Sequence, residues 1–368
     1  MLSVIRKKTK KIRDFYTVYT SGLNHNEIEH LLKKDTLDAY SYLKRKAHLS
    51  EKPQTNSFKK SLLVAQEIFT CFVMQLSPAR RLVYGIGAII LIAGFFANNL
   101  LYLITSVLIF NFLLALELVD KLTTRDELHI AREIQVSLQP AHIPTSDFLS
   151  FSAYSEPAKV VGGDFFDIIP LTENRIITIV GDVADKGISA ALYAAFTQSM
   201  FQSLSESNKS PSQIIVSLNN LISKRLREGD FITIAIALFD LNEKSVTLSR
   251  AGHNWPLFYS AETKQINELK PKGPSIGLME NPDFAEQVEE QKIHLKKGDF
   301  MLLYTDGVTE AFNSKNQMFD VSNLKTAIET SVHESSNEIV NHINLQLSSF
   351  TESGELQDDA TMIAVKMT

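Results

Sequence analysis

Residues 145–368 predict an α+β sandwich, and two observations predict it. Strand-like apolar runs follow one another directly, near 149–155, 164–170 and 175–181, then near 231–240, 245–251, 255–260, 289–295 and 299–305, with a last run at 360–367. Helical stretches come in pairs instead, at 188–205 with 211–227 and at 320–331 with 335–350. Alternating βαβ units would interleave the two kinds of element, so blocks of strands and blocks of helices point to an α+β arrangement.

The chain before this domain reads in three pieces. Residues 1–79 form a basic region of short helical segments, with Lys7-Lys8 and Lys10-Lys11 near its start and no early apolar core of a secretory signal. Within it, residues 61–76 suit either an interfacial helix or a third crossing, and Gln66 and Glu67 at the centre favour the interface. From Leu82 to Leu116 there is no charged residue. One helix of that length would run roughly 50 Å, against a hydrocarbon layer of roughly 30 Å. Asn98-Asn99 offers a turn, so residues 80–119 read as two transmembrane helices, about 80–97 and 100–119. The first is short and calls for thinning of the bilayer or snorkelling by Arg80 and Arg81. A buried core hairpin is the competing reading, disfavoured because soluble helices are rarely apolar on every face. Residues 120–144 form a helical linker that overlaps a charged helical stretch at 117–139, in which Ile130, Ile134 and Leu138 recur every four residues before Pro140 and Pro144. That stretch could pair with a second copy of itself or pack on its own domain.

Charge orients these pieces. Residues 1–81 hold 16 Lys/Arg against 7 Asp/Glu, and the remainder holds 21 against 35. A basic front beside an apolar stretch suits an anionic membrane lipid face. Arg80, Arg81, Lys121 and Arg125 flank both outer ends of the hairpin, which places a multi-pass protein in the inner (cytoplasmic) membrane with residues 145–368 in the cytoplasm. The acidic remainder argues against nucleic acid as a partner. Cys71 is the single cysteine, which excludes an intrachain disulfide and a cysteine-based zinc site.

Acidic residues stand at the strand ends. Asp164 lies in Val161-Gly-Gly-Asp-Phe-Phe-Asp167, Asp182 in Val180-Gly-Asp-Val-Ala-Asp-Lys-Gly187, and Asp306 in Tyr304-Thr-Asp-Gly307. Asp358 and Asp359 precede Ala360-Thr361. Any one alone reads as a turn or cap carboxylate. Brought together they would repel unless hard divalent cations sat between them, and such cations prefer all-oxygen shells. A two-metal centre that activates water is the chemistry this implies.

The ordered series Gly-Gly-Asp-Phe-Phe-Asp, Gly-Asp-Val-Ala-Asp-Lys-Gly, Ala-Gly-His-Asn, Tyr-Thr-Asp-Gly-Val-Thr-Glu-Ala and Asp-Asp-Ala-Thr resembles the metal-dependent type 2C serine/threonine phosphatases. It is most similar to their bacterial sporulation and stress-regulator (sigma-factor regulatory) branch, over roughly residues 130–368. The resemblance implies an αββα sandwich with two Mn or Mg ions at one edge. It implies that Asp182 bridges both ions, that Asp164 and the Val183 backbone carbonyl complete the first site, and that Asp306 and Asp358 complete the second. Asp167 and Asp359 would be supporting residues. Catalysis would pass through water activated by the ions held on Asp182 and Asp306, attacking a phosphoserine or phosphothreonine in line. Branch members commonly act on a small anti-anti-sigma-type regulatory protein in signal transduction.

Several positions depart from the family or remain open. Eukaryotic relatives hold the phosphate with an arginine near the first motif, where the nearest cation here is Lys159. Trp255 stands where the branch often has proline, which alters a turn rather than a ligand. His253 reads as a proton donor or a turn-stabilising residue, and Lys186 as a phosphate-steering or a solvated lysine. Gly273-Pro-Ser-Ile-Gly277 has the spelling of a serine-hydrolase elbow but lacks the strand before and helix after that the elbow needs. Asp185-Lys186-Gly187 lacks the order of a P-loop. The alternative to a phosphatase is a catalytically degenerate scaffold of the same fold at the membrane.

Overall fold

The computed structural model describes Lys33, residues 57–352 and residues 356–368, with side chains from Val64 onward in the first helix. Apart from Lys33, the helical segments expected over 1–56 lie outside the described residues. The chain divides into two units, Met1–Leu122 and Thr123–Thr368, and each is described by itself.

In the first unit, α1 (Ser57–Gln75) is followed by α2 (Pro78–Phe96) and by the start of α3 (Leu100–Ser137). Asn98 turns the chain with a φ of 48°, a left-handed conformation that asparagine tolerates better than most residues. Among the described residues α2 and α3 are the helices long and apolar enough to cross a membrane. Most of their large apolar side chains, such as Leu82, Phe96, Leu101 and Leu108, are exposed. Tyr84 of α2 packs its ring against Phe110 of α3 and Phe69 of α1. Arg80 does not extend freely: it ion-pairs with Glu117 at 3.0 Å and Asp120 at 2.7 Å. Arg81 donates to the Leu76 carbonyl just past the end of α1. The second apolar helix and the linker expected after it are one element, because α3 runs without a break from Leu100 to Ser137.

The second unit is built on two five-stranded antiparallel sheets. One has the order β1 (Leu149–Glu156), β10 (Ala360–Met367), β9 (Phe300–Tyr304), β6 (Leu257–Ser260), β7 (Gln265–Glu268). The other runs β2 (Phe165–Thr172), β3 (Arg175–Val183), β4 (Ile232–Asp240), β5 (Ser245–Ala251), β8 (Glu290–His294). Alternation along the strands sorts the apolar residues into three layers. Phe151, Phe166, Phe239, Met301 and Ile363 pack between the sheets. On one outer face Ile177, Ile179 and Ile234 meet α4 (Ile188–Ser205) and α5 (Pro211–Ile222). On the other, Leu302, Tyr304 and Met362 meet α8 (Asp320–Ser331) and α9 (Ser336–Thr351). This is the αββα layering. Two short helices, α6 (Asp283–Gln287) and α7 (Asp306–Thr309), lie between the helix pairs in sequence.

Some boundaries differ from the sequence reading. The helix expected over 211–227 ends at Ile222 and tightens into a 3-10 turn at Ser223–Arg225. Strand β7 went unforeseen because Gln265-Ile-Asn-Glu carries one apolar residue in four.

Candidate metal centre and reaction cleft

The adjacent ends of β3, β9 and β10 deliver carboxylates to one cavity of about 420 Å³, lined by Asp182, Val183, Lys186, His253, Asp306 and Asp358 among others. Asp182 stands in β3 opposite Thr233 of β4, so its position is fixed by a central strand pair. Asp306 opens α7 two residues after β9 ends, and Asp358 stands two residues before β10 begins.

Asp164 sits behind this wall. It is buried, its carboxyl comes within hydrogen-bonding reach of Asp182, and Thr305 Oγ1 donates to its Oδ2 at 2.7 Å. Thr305 also accepts from the Thr361 N–H at 2.9 Å, so one hydroxyl stitches the Asp164 loop to β9 and β10. Sequence reasoning passed over Thr305, although it lies inside the Tyr304-Thr-Asp-Gly motif.

Burial and mutual repulsion dominate the electrostatics. Burial pushes the Asp182 carboxyl up to about 7, reinforced by Asp306, Asp358 and Asp359. Asp164 is raised by burial and then by Asp182. Asp306 is raised by burial, then by Glu310 and Asp358. A Cβ on Gly163 would come to 3.0 Å from the Val183 carbonyl oxygen and 3.4 Å from Asp182 Oδ1, so the loop presses its backbone onto two of the expected donors. Crowded carboxylates, a carbonyl and no sulfur form a donor set that fits a hard divalent cation. Among the described residues no three His, Cys, Asp or Glu side chains close around a single point. Backbone and solvent oxygens would therefore have to complete any shell.

The remaining expected residues take different places. Asp359 turns both oxygens to backbone, accepting from Ala158 N at 2.8 Å and from Gly163 N at 2.6 Å, and so braces the Gly162-Gly163 loop. Asp167 faces α4, where its Oδ2 accepts from Gln202 Nε2 at 2.7 Å. Lys186 lies on Asp358, Nζ to Oδ2 2.6 Å. His253 is buried, and its Nδ1 shares a 2.8 Å hydrogen bond with Thr233 Oγ1. Burial, followed by the Arg250 charge, lowers its pKa to about 3. A neutral imidazole at ordinary pH suits the turn-stabilising reading and not that of a proton donor.

Trp255 does more than alter a turn. It lines a second cavity of about 410 Å³ that shares Asp306 and His253 with the first, and Lys270 Nζ lies 3.9 Å from its ring centroid. The Gly273–Gly277 segment is loop. Gly252 N donates to Gly273 O, Ile276 pairs with Ile232, and Ser275 is buried against Gly252, so the hydrolase-elbow reading has no exposed nucleophile here.

The family model for stage II sporulation protein E (SpoIIE) matches residues 172–368. The phosphoserine phosphatase RsbU of Bacillus subtilis is 31% identical over 245 residues, which cover 66% of this chain and 70% of RsbU. Protein IcfG of Synechocystis is 27% identical over 299 residues, covering 74% of this chain but 46% of IcfG. Among solved structures, the SiaA-PP2C domain of Pseudomonas aeruginosa superposes with a TM-score of 0.59 at 17% identity, over 68% of this chain and 99% of that domain, and shares its fold.

Proposed function

The chain belongs to the SpoIIE family of PP2C-type serine/threonine phosphatases, and from that premise we propose that it is a membrane-anchored, Mn- or Mg-dependent enzyme that dephosphorylates a regulatory protein. The observation that carries the metal reading is the gathering of Asp182, Asp306 and Asp358 on one cleft with Asp164 buried behind it, Asp182 being raised to about 7 by burial and by its acidic neighbours.

In this reading Asp164, Asp182 and the Val183 carbonyl would hold one cation, and Asp182, Asp306 and Asp358 would hold the other. When bound, such a pair lowers the pKa of water and neutralises phosphoryl oxygens. The chain itself fixes the geometry. Thr305 orients Asp164, Asp359 braces the Gly163 loop, and His253 locks Thr233 opposite Asp182. Manganese-dependent hydrolysis of p-nitrophenyl phosphate, abolished by Asp182→Asn, is the expected result. A rate indifferent to chelators would defeat the metal mechanism, and no rate at all would favour the degenerate scaffold.

The hairpin of α2 and α3 supplies the anchor. Its exposed apolar surface and the flanking Arg81, Lys121 and Arg125 support a multi-pass protein of the inner membrane with the phosphatase unit in the cytoplasm. Residues 61–76, which are α1 from its fifth residue plus Leu76, then lie at the interface. A phosphorylated anti-anti-sigma-type protein is the proposed substrate, by likeness to the branch; phosphoproteomic comparison of wild type with an Asp182→Asn strain would identify it. Self-association through 117–139 is proposed from the stripe Leu118, Leu122, Ile130 and Ile134, all exposed on α3.

A further inference from the structure

A phosphate group entering this cleft meets a wall of like charge. Among the described residues that line it are four carboxylates, Asp182, Asp185, Asp306 and Asp358, and one cation, Lys186. Lys159, the cation nearest the first acidic motif, does not line it. Arg250 is spent on backbone, donating to the Pro271 and His253 carbonyls.

Lys186 is held in place. Asp185 Oδ1 accepts from its backbone N–H at 2.7 Å, while Asp185 Oδ2 accepts from Ser189 Oγ at 2.8 Å in the first turn of α4. The ammonium lies 2.6 Å from Asp358 Oδ2 and donates to the Gln357 carbonyl at 3.2 Å. An ammonium has three donors, so one is left for the cleft. Asp358 Oδ1 meanwhile accepts from the Asp359 N–H at 2.9 Å. Both Asp358 oxygens are therefore engaged, one by backbone and one by Lys186.

We propose that Lys186 is the residue that recognises the phosphoryl group, and that its pairing with Asp358 couples phosphate capture to cation binding. The proposal rests on the metal-centre reading above. Asp358 Oδ2 cannot serve a divalent cation and the lysine ammonium fully at once. A cation on Asp358 loosens Lys186 and turns its charge toward the substrate. A phosphate that draws Lys186 away leaves Asp358 to the cation. By linkage these are one coupling free energy seen from two sides. The pair is about two-fifths exposed on each side, so exchange is cheap. A lysine presents a mobile point charge, which suits a group that must arrive and leave.

The test uses the full-length protein in detergent as wild type, Lys186→Gln and Lys186→Arg. Calorimetry gives the Mn dissociation constant without phosphate, and inhibition of p-nitrophenyl phosphate hydrolysis at saturating Mn gives the affinity for inorganic phosphate. Removing the competing cation should tighten Mn about threefold to tenfold and weaken phosphate by about tenfold or more. Lys186→Arg should stay near wild type in both. Weaker Mn binding in Lys186→Gln, or unchanged phosphate affinity, overturns the proposal. If the wild type fails to bind Mn, the metal-centre reading falls and the coupling with it. Wild-type binding with an indifferent Lys186→Gln removes only the role of Lys186.

Discussion

Gln135 grips Gly162 from both sides. Its Nε2 donates to the Gly162 carbonyl at 2.8 Å, and its Oε1 accepts from the Gly162 N–H at 3.3 Å. The last turn of α3 is thereby fastened to the loop that presents Asp164. Gln198 of α4 adds a second fastening, donating to the Leu138 and Phe166 carbonyls. Truncation by Gln135→Ala removes two hydrogen bonds worth about 1 kcal/mol each. The half-saturating Mn concentration should rise roughly threefold to thirtyfold, and the thermal midpoint should fall by about 4–8 °C. An unaltered Mn curve would show that the clamp has no bearing on the site.

Gly307 offers a harsher test of the same wall. A Cβ there would lie 2.0 Å from the Asp359 carbonyl oxygen, and a backbone atom cannot step aside as a side chain can. Gly307→Ala should displace the Asp358-Asp359 segment and reduce phosphatase activity by more than about tenfold, at a cost on the order of 1–3 kcal/mol. Turnover at saturating Mn and a thermal melt separate the two effects.

Acidity gives a third prediction. Asp182 has a folded-state pKa of about 7 against an ordinary 3.8, so the folded state binds the extra proton. Stability from this group is full below pH 4 and is lost as pH rises toward 7. With a chelator present, the thermal midpoint should fall over that window, and Mn should reverse the fall at pH 8. Mn binding near pH 6 should release protons, seen as a calorimetric heat that varies with the buffer. A midpoint flat between pH 4 and 7 would contradict the crowding of carboxylates. Trp255 is the single tryptophan and lines a cavity with Asp306, so its fluorescence is a built-in reporter.

For self-association, Ile130→Glu with Ile134→Glu should convert a detergent-solubilised dimer to monomer in light scattering. A wild type that is monomeric throughout would remove the interface.

Much of the domain was legible because strands of alternating or continuous apolar residues, bounded by glycine and aspartate, carry their own signal. Nine of the strands, from β1 with its Leu149-Ser-Phe pattern to β10, fall where the sequence puts them, give or take two residues. The carboxylates singled out from the sequence flank such strands: Asp182 lies near the end of β3, Asp306 follows β9, and Asp164 and Asp358 precede β2 and β10. What could not be read is the bracing. Asp359 reaches Gly163 across 196 positions and Gln135 reaches Gly162 across 27, contacts that no periodicity encodes. Nor does the spelling Asp-Lys-Gly say that Lys186 meets Asp358, 172 residues away, since only the tertiary fold sets that distance.

The neighbouring carboxylates at 358 and 359 point to opposite duties, one into the cleft and one onto the Gly163 backbone, because successive side chains alternate beside a strand. Their assignment is set by the alignment of β10 between β1 and β9, where Ala360 faces Glu156 and Met362 faces Tyr304. Slippage of that strand by one position would exchange the two carboxylates, leaving the reaction side with the wrong one while every apolar side chain also changed face. The final strand thus fixes which carboxylate faces the cleft with the same zipper that protects the core.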